Sequence, residues 1–116
     1  MSKSKKEKKK EETILNEASH SFLRNYLNNP SPVGFESGGQ RIWLDYLTPY
    51  IDETFVDPYG TAVGIINPNQ PFKVVIEAHA DEISWFVNYI TDAGLIYLKR
   101  NGGVDHQIAP SKRVII

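Results

Sequence analysis

Val74-Val75-Ile76-Glu77-Ala78-His79-Ala80-Asp81-Glu82 is the stretch that decides the fold. An apolar, β-branched run leads directly into alternating polar and small residues, the pattern of a buried strand reaching its end. Strand geometry sets residues i and i+2 on one face, so His79 and Asp81 point together and Ala80 points away. A histidine beside a carboxylate at a strand end suits metal binding, because imidazole coordinates and the carboxylate fixes the ring. The same spacing also fits a plain alternation, with Val74, Ile76, Ala78 and Ala80 on a core and Glu77, His79 and Asp81 in water. A lone His-x-Asp does not choose between the two.

Around this centre the chain reads as one modest unit of 116 residues. On either side of the central strand, expected over Lys73–Ala78, lie regular elements separated by turn residues. Ile14, Leu15, Ala18, Phe22, Leu23, Tyr26 and Leu27 form a helical stripe from Thr13, the expected cap. Asn28-Asn29-Pro30-Ser31-Pro32-Val33-Gly34 stops that helix. A second helix runs from near Gly38-Gly39-Gln40 to Leu47, with Ile42, Trp43, Tyr46 and Leu47 on its inner side. The glycine pair reads as a flexible turn in preference to an anion site. Strands are expected over Glu53–Asp57, Ala62–Ile66, Ser84–Ile90 and Leu95–Lys99, with Pro58-Tyr59-Gly60 and Thr91-Asp92-Ala93-Gly94 as turns. Arg113-Val114-Ile115-Ile116 opens one more strand. With nothing to turn or cap it, the sequence reads as cut, a short native edge strand being the other reading.

Charge is unevenly distributed. Residues 1–12 hold six lysines and three glutamates, a surplus of +3, which leaves seven basic and eleven acidic residues, −4, for the rest of the chain. The low-complexity start is expected to be a disordered, solvated extension. The remainder lacks the cationic surplus that a phosphate backbone demands, so no nucleic-acid partner is expected. The absence of cysteine excludes disulfides, thiolate metal ligands and thiol nucleophiles. No run is long enough for a membrane span and no apolar stretch follows the lysines as in a signal peptide, which points to a cytoplasmic protein without a membrane partner.

Four landmarks, in order, carry a resemblance: Pro32-Val33-Gly34-Phe35-Glu36; Val56-Asp57-Pro58-Tyr59-Gly60-Thr61; Ala78-His79-Ala80-Asp81-Glu82-Ile83; and Gly102-Gly103-Val104-Asp105 with Arg113-Val114. Together they resemble the N-terminal third of the glutamyl aminopeptidase family, dinuclear-metal peptidases that assemble as tetrahedral dodecamers. The resemblance implies an α/β fold: residues 13–82 as part of an α/β/α catalytic domain with a mostly buried sheet, and 83–116 as the start of an inserted β-rich dimerisation domain. It implies His79 as a ligand to one of two divalent metals, zinc or cobalt, and Asp81 as the residue that orients its imidazole. Peptide substrates and a homo-oligomer, from dimer to dodecamer, are implied in the same way. Glu82 receives no catalytic role.

Departures bear on activity. Ala80, Ser84 and Thr61 stand where methionine, glycine and asparagine are common in the family. The bridging aspartate, the general base and the remaining ligands would lie beyond Ile116. A catalytic zinc generally takes three protein ligands, and His20 reads as an exposed helix residue and His106 as a solvated loop residue. The expectation is therefore a parent aminopeptidase of which this chain alone is inactive. A non-catalytic assembly or binding module of the same descent is the alternative. A carboxypeptidase-like or deacylase-like metalloenzyme is a further class, disfavoured by Gly102-Gly103-Val104-Asp105. Deletion of residues 1–12 is expected to abolish any residual nucleic-acid binding, measured by mobility shift.

Overall fold

The computed structural model describes residues 15–116; the lysine-rich tail and the expected cap Thr13 lie outside them. Helix α1 spans Glu17–Asn28, and its cap is Asn16, whose side chain accepts the Ser19 N–H at 2.9 Å. The helix thus starts later than the apolar stripe suggests, because Asn16 supplies the side-chain acceptor that the first turn requires. Much of the expected stripe, including Ala18, Leu23 and Leu27, is exposed. Phe22 and Tyr26 make the half-buried side, and Phe22 stacks on Tyr46 with ring centroids 4.1 Å apart.

Tyr46 belongs to α2, Ser37–Leu47, which runs on into a 3-10 turn at Thr48–Tyr50. Its phenol oxygen and the Ser19 hydroxyl are 2.9 Å apart, a polar tie beside the ring stack. The other face of α2 lies over the first hairpin, β1 (Glu53–Val56) and β2 (Ala62–Ile65). A Cβ on Gly64 would sit 3.2 Å from Ile51 Cδ1 and 3.6 Å from Leu47 Cδ1, so the absent side chain is what lets the helix end settle on the strand. Gly38 and Gly39 are helical, not a flexible turn. A Cβ on Gly39 would fall 2.7 Å from Ser31 Oγ, so their role is close approach to the preceding loop.

The second hairpin pairs β3 (Ser84–Ile90) with β4 (Ile96–Asn101), both antiparallel and close to the expected bounds. Asn88 is the extra residue of a bulge between the Val87–Leu98 and Tyr89–Tyr97 pairs. The two hairpins share one turn design. Gly60 donates its N–H to Asp57 O and Gly94 to Thr91 O, each at 2.9 Å, with φ of +90° and +81°. In each, a side-chain oxygen four residues back accepts the next amide: Asp57 Oδ1 from Thr61 N at 2.8 Å, Thr91 Oγ1 from Leu95 N at 3.0 Å. Such a turn with glycine in the left-handed region is a common three-to-five-residue hairpin connection.

Two expected strands are not formed. Residues 73–80 are irregular, and Val74, Val75 and Ile76 are 73%, 82% and 94% exposed. An apolar run becomes a central strand only when neighbours take both its edges and cover both its faces, and no ladder pairs with it among the described residues. Residues 113–116 likewise form no ladder, with Ile115 and Ile116 exposed. Among the described residues the architecture is therefore mixed α and β: two α-helices and two separate two-stranded sheets. Val104 is the one buried hydrophobic residue among those described. A radius of gyration of 21.7 Å far exceeds the roughly 13 Å of a compact 100-residue domain.

Gly64→Val should overfill the contact with Ile51 and Leu47 and cost about 1–2 kcal/mol, read as a lower denaturation midpoint by Trp43 fluorescence. The Thr61 amide above all, then the Thr61 hydroxyl and the Tyr59 and Gly60 amides, hold the Asp57 carboxyl below its ordinary value, outweighing desolvation. A depressed folded pKa stabilises the turn above the unfolded value and loses that contribution as pH falls through the folded one. The Thr61 amide resonance should report acid loosening below the usual carboxylate range, and Asp57→Asn should remove that dependence.

Candidate functional site

The loop between α1 and α2 is built to hold the chain segment that carries His79. In Pro30-Ser31-Pro32 the prolines have no N–H and a restricted φ, so Ser31 offers the one backbone donor of the triplet. Ser31 is 6% exposed. Its N–H donates to Glu82 Oε1 at 2.8 Å, and its carbonyl accepts the Glu82 N–H at 2.8 Å. An isolated parallel bridge joins Pro32 to Glu82 at the same place. The Asn29 side chain donates to Pro30 O at 3.0 Å and to Ser31 Oγ at 3.2 Å, bracing the loop from behind.

The next turn continues the construction. Phe35 N–H donates to Pro32 O at 2.8 Å, and Gly34 has φ of +86°, the third-position geometry of a type II turn. Glu36 Oε1 accepts the Gly34 N–H at 2.7 Å. The Pro-x-Gly-x-Glu spacing thus serves backbone geometry: the glycine takes the left-handed position and the glutamate ties its amide. From the other side, Asn101 Nδ2 donates to Val33 O at 3.0 Å and to Ser84 Oγ at 3.1 Å. Gly102, with φ of +73°, lies where a Cβ would be 3.2 Å from Val33 Cγ2. Landmarks distant in sequence therefore converge on residues 31–36.

His79 and Asp81 lie side by side, though not on the strand that the sequence suggests. Their backbone is not strand, so no pleat aligns them. Instead His79 Nδ1 lies 2.9 Å from Asp81 Oδ1 and 3.0 Å from Asp81 O. An ionised carboxylate and a carbonyl are both acceptors only, so Nδ1 carries the proton. In the neutral ring that leaves the Nε2 lone pair free. The His79 side chain is 84% exposed and that of Asp81 38%, so the nitrogen is open to solvent. A carboxylate holding Nδ1–H of an imidazole with Nε2 available is the arrangement of metal-ligating histidines.

The donor set stops there. Among the described residues, no group of three or more histidine, aspartate or glutamate side chains is placed to hold a metal ion. His106 opens the 3-10 turn His106–Ile108, whose cap is Asp105, accepting the Gln107 N–H at 2.9 Å. His20 lies on the exposed side of α1. Neither histidine joins His79. Sequence reasoning missed Glu82, and its signal was the single amide left between two prolines.

The family model of the M42 glutamyl aminopeptidases matches residues 60–116 of the chain. The His79 and Gly102-Gly103 landmarks fall inside that match, Val56–Thr61 straddles its start, and Pro32–Glu36 precedes it. No solved structure matches the chain. No helix among the described residues is long and apolar enough to cross a membrane.

Asp81→Ala should remove the carboxylate acceptor of Nδ1–H, leaving the backbone carbonyl of residue 81 alone, and shift His79 toward the Nε2–H tautomer that free imidazole favours. Imidazole ¹⁵N shifts would show it, and an unchanged tautomer ratio would mean that Asp81 does not hold the ring.

Proposed function

We propose that the chain, whose residues 60–116 match the family model of the M42 glutamyl aminopeptidases, is part of a metal-dependent aminopeptidase acting on peptide N-termini. The observation that carries the reading is the His79–Asp81 pair, with Nδ1–H engaged and Nε2 free. His79 would ligate a divalent ion, zinc or cobalt, through Nε2, and Asp81 would fix the tautomer and the ring plane. Two such ions in a peptidase activate a water and polarise the scissile carbonyl.

What this chain contributes to that chemistry is one ligand, held in the right tautomer and exposed. Three protein ligands are the usual requirement of a catalytic zinc, so the others come from outside the described residues. In this reading the 116-residue chain hydrolyses nothing unaided. The α/β/α layering, with Val74–Ile76 as a covered central strand, is proposed for the completed catalytic domain, since only pairing and burial would draw that run into a sheet. The second hairpin, with Phe86, Tyr89 and Tyr97 exposed on it, would belong to a dimerising β-rich part. Those same exposed side chains favour the alternative, a non-catalytic assembly module of the family.

The test is turnover of aminoacyl p-nitroanilides with Zn²⁺ or Co²⁺ supplied. It is run on the 116-residue chain and on protein from the natural source, whose intact mass is recorded. The source protein is expected to be active and to lose activity on chelation and on His79→Ala. Turnover by the 116-residue chain would overturn the need for outside ligands. A source protein without metal-dependent hydrolysis would favour the assembly module.

A further inference from the structure

We infer that Glu82 is a positioning residue for His79, acting through the peptide unit it shares with Asp81. That unit is planar and trans, so its N–H and C=O point in opposite directions. The N–H belongs to Glu82 and donates to Ser31 O at 2.8 Å. The C=O belongs to Asp81 and lies 3.0 Å from His79 Nδ1. Fixing one end of this plane fixes the other. The Glu82 carboxylate closes the ring of contacts by accepting the Ser31 N–H at 2.8 Å. One residue thus grips Ser31 at both its donor and its acceptor, and the grip sets the direction of a carbonyl that the imidazole meets.

Ser31 is suited to be the anchor. It is buried, its neighbours are prolines, and α2 approaches it through Gly39. A reference point of that kind moves little, whereas His79 and the residues before it are exposed and outside any ladder. The carboxylate of Asp81 alone would leave the imidazole tethered to a freely turning segment. With Glu82 locked, both acceptors of the Nδ1–H are held in register with the α1–α2 loop. The role assigned to His79 as a ligand rests on the aminopeptidase reading; its orientation by Glu82 does not.

The experiment compares Glu82→Ala, Glu82→Gln, Glu82→Asp and Asn101→Ala in the 116-residue chain. Two quantities are read by NMR: exchange of the Ser31 amide and the His79 tautomer ratio from imidazole ¹⁵N shifts. Glu82→Ala should speed Ser31 exchange at least tenfold and move the tautomer ratio toward that of Asp81→Ala. Glu82→Gln keeps an acceptor oxygen at the same reach and should retain both wild-type values. Glu82→Asp withdraws the oxygen by one methylene and should follow Glu82→Ala, which keeps the test decisive should the alanine variant fail to fold. Asn101→Ala loosens the same loop at Val33 and should leave His79 unchanged.

Faster Ser31 exchange in Glu82→Ala and Glu82→Asp with an unaltered His79 tautomer would reduce Glu82 to a loop clamp and overturn the inference. An equal His79 response in Asn101→Ala would overturn it too, because general loosening would then suffice. Addition of Zn²⁺ to the wild-type chain is read separately, at Nε2. No shift there would count against the ligand role while leaving the positioning result intact.

Discussion

The paired hydrogen bonds between Ser31 and Glu82 join the two halves of the structure, and the site depends on them. On one side lie α1, α2 and the first hairpin, packed through the Phe22–Tyr46 stack and the close approach at Gly64. On the other lies the second hairpin with the turns that follow it. Asn101 adds a third bond, to Val33, a few residues along the same loop. In a molecule where Val104 is the one buried hydrophobic residue among those described, orientation is set by directional polar contacts more than by a packed core. A buried amide left without its acceptor costs about 1–3 kcal/mol, a large share of what so open a structure has to hold itself together.

What could be read from the chain in advance divides along local and distant interactions. Both hairpins were legible, because Asp57 with Gly60 and Thr91 with Gly94 determine a turn from within five residues. The second helix was legible from Ile42, Trp43, Tyr46 and Leu47. The start of α1 was misjudged because Asn16, inside the apparent stripe, is a stronger cap than the stripe is a signal. Val74–Ile76 read as a central strand because composition reports what a segment is suited for, while a ladder requires neighbours. The meeting of His79 with Asp81 was anticipated on strand alternation and is achieved by a side-chain hydrogen bond. The contact of Glu82 with Ser31 was legible from one end only: the single amide between Pro30 and Pro32 marks a donor in need of a partner, but that partner is 51 residues away, and nothing local to Glu82 points to Ser31.

The exposed apolar side chains carry their own meaning. Phe72, Val74, Val75 and Ile76 lie together along a segment whose backbone is paired with nothing among the described residues. Contiguous apolar surface with open backbone groups marks a region meant to be covered. The segment leads within three residues to His79. Whatever covers it therefore sets the environment of the imidazole, including how dry it is and which charges lie near. The chain presents an exposed imidazole paired with a carboxylate, and a covering surface would supply the medium around them.

The 51 residues between Ser31 and Glu82 also impose an order of events. Each helix and each hairpin closes over a handful of residues, on timescales of microseconds or less. The clamp must wait for a closure whose chain-entropy cost is on the order of 3 kcal/mol for a flexible loop of that length. The geometry of His79 is thus among the last features of the structure to be set, after the local elements on either side of it have formed.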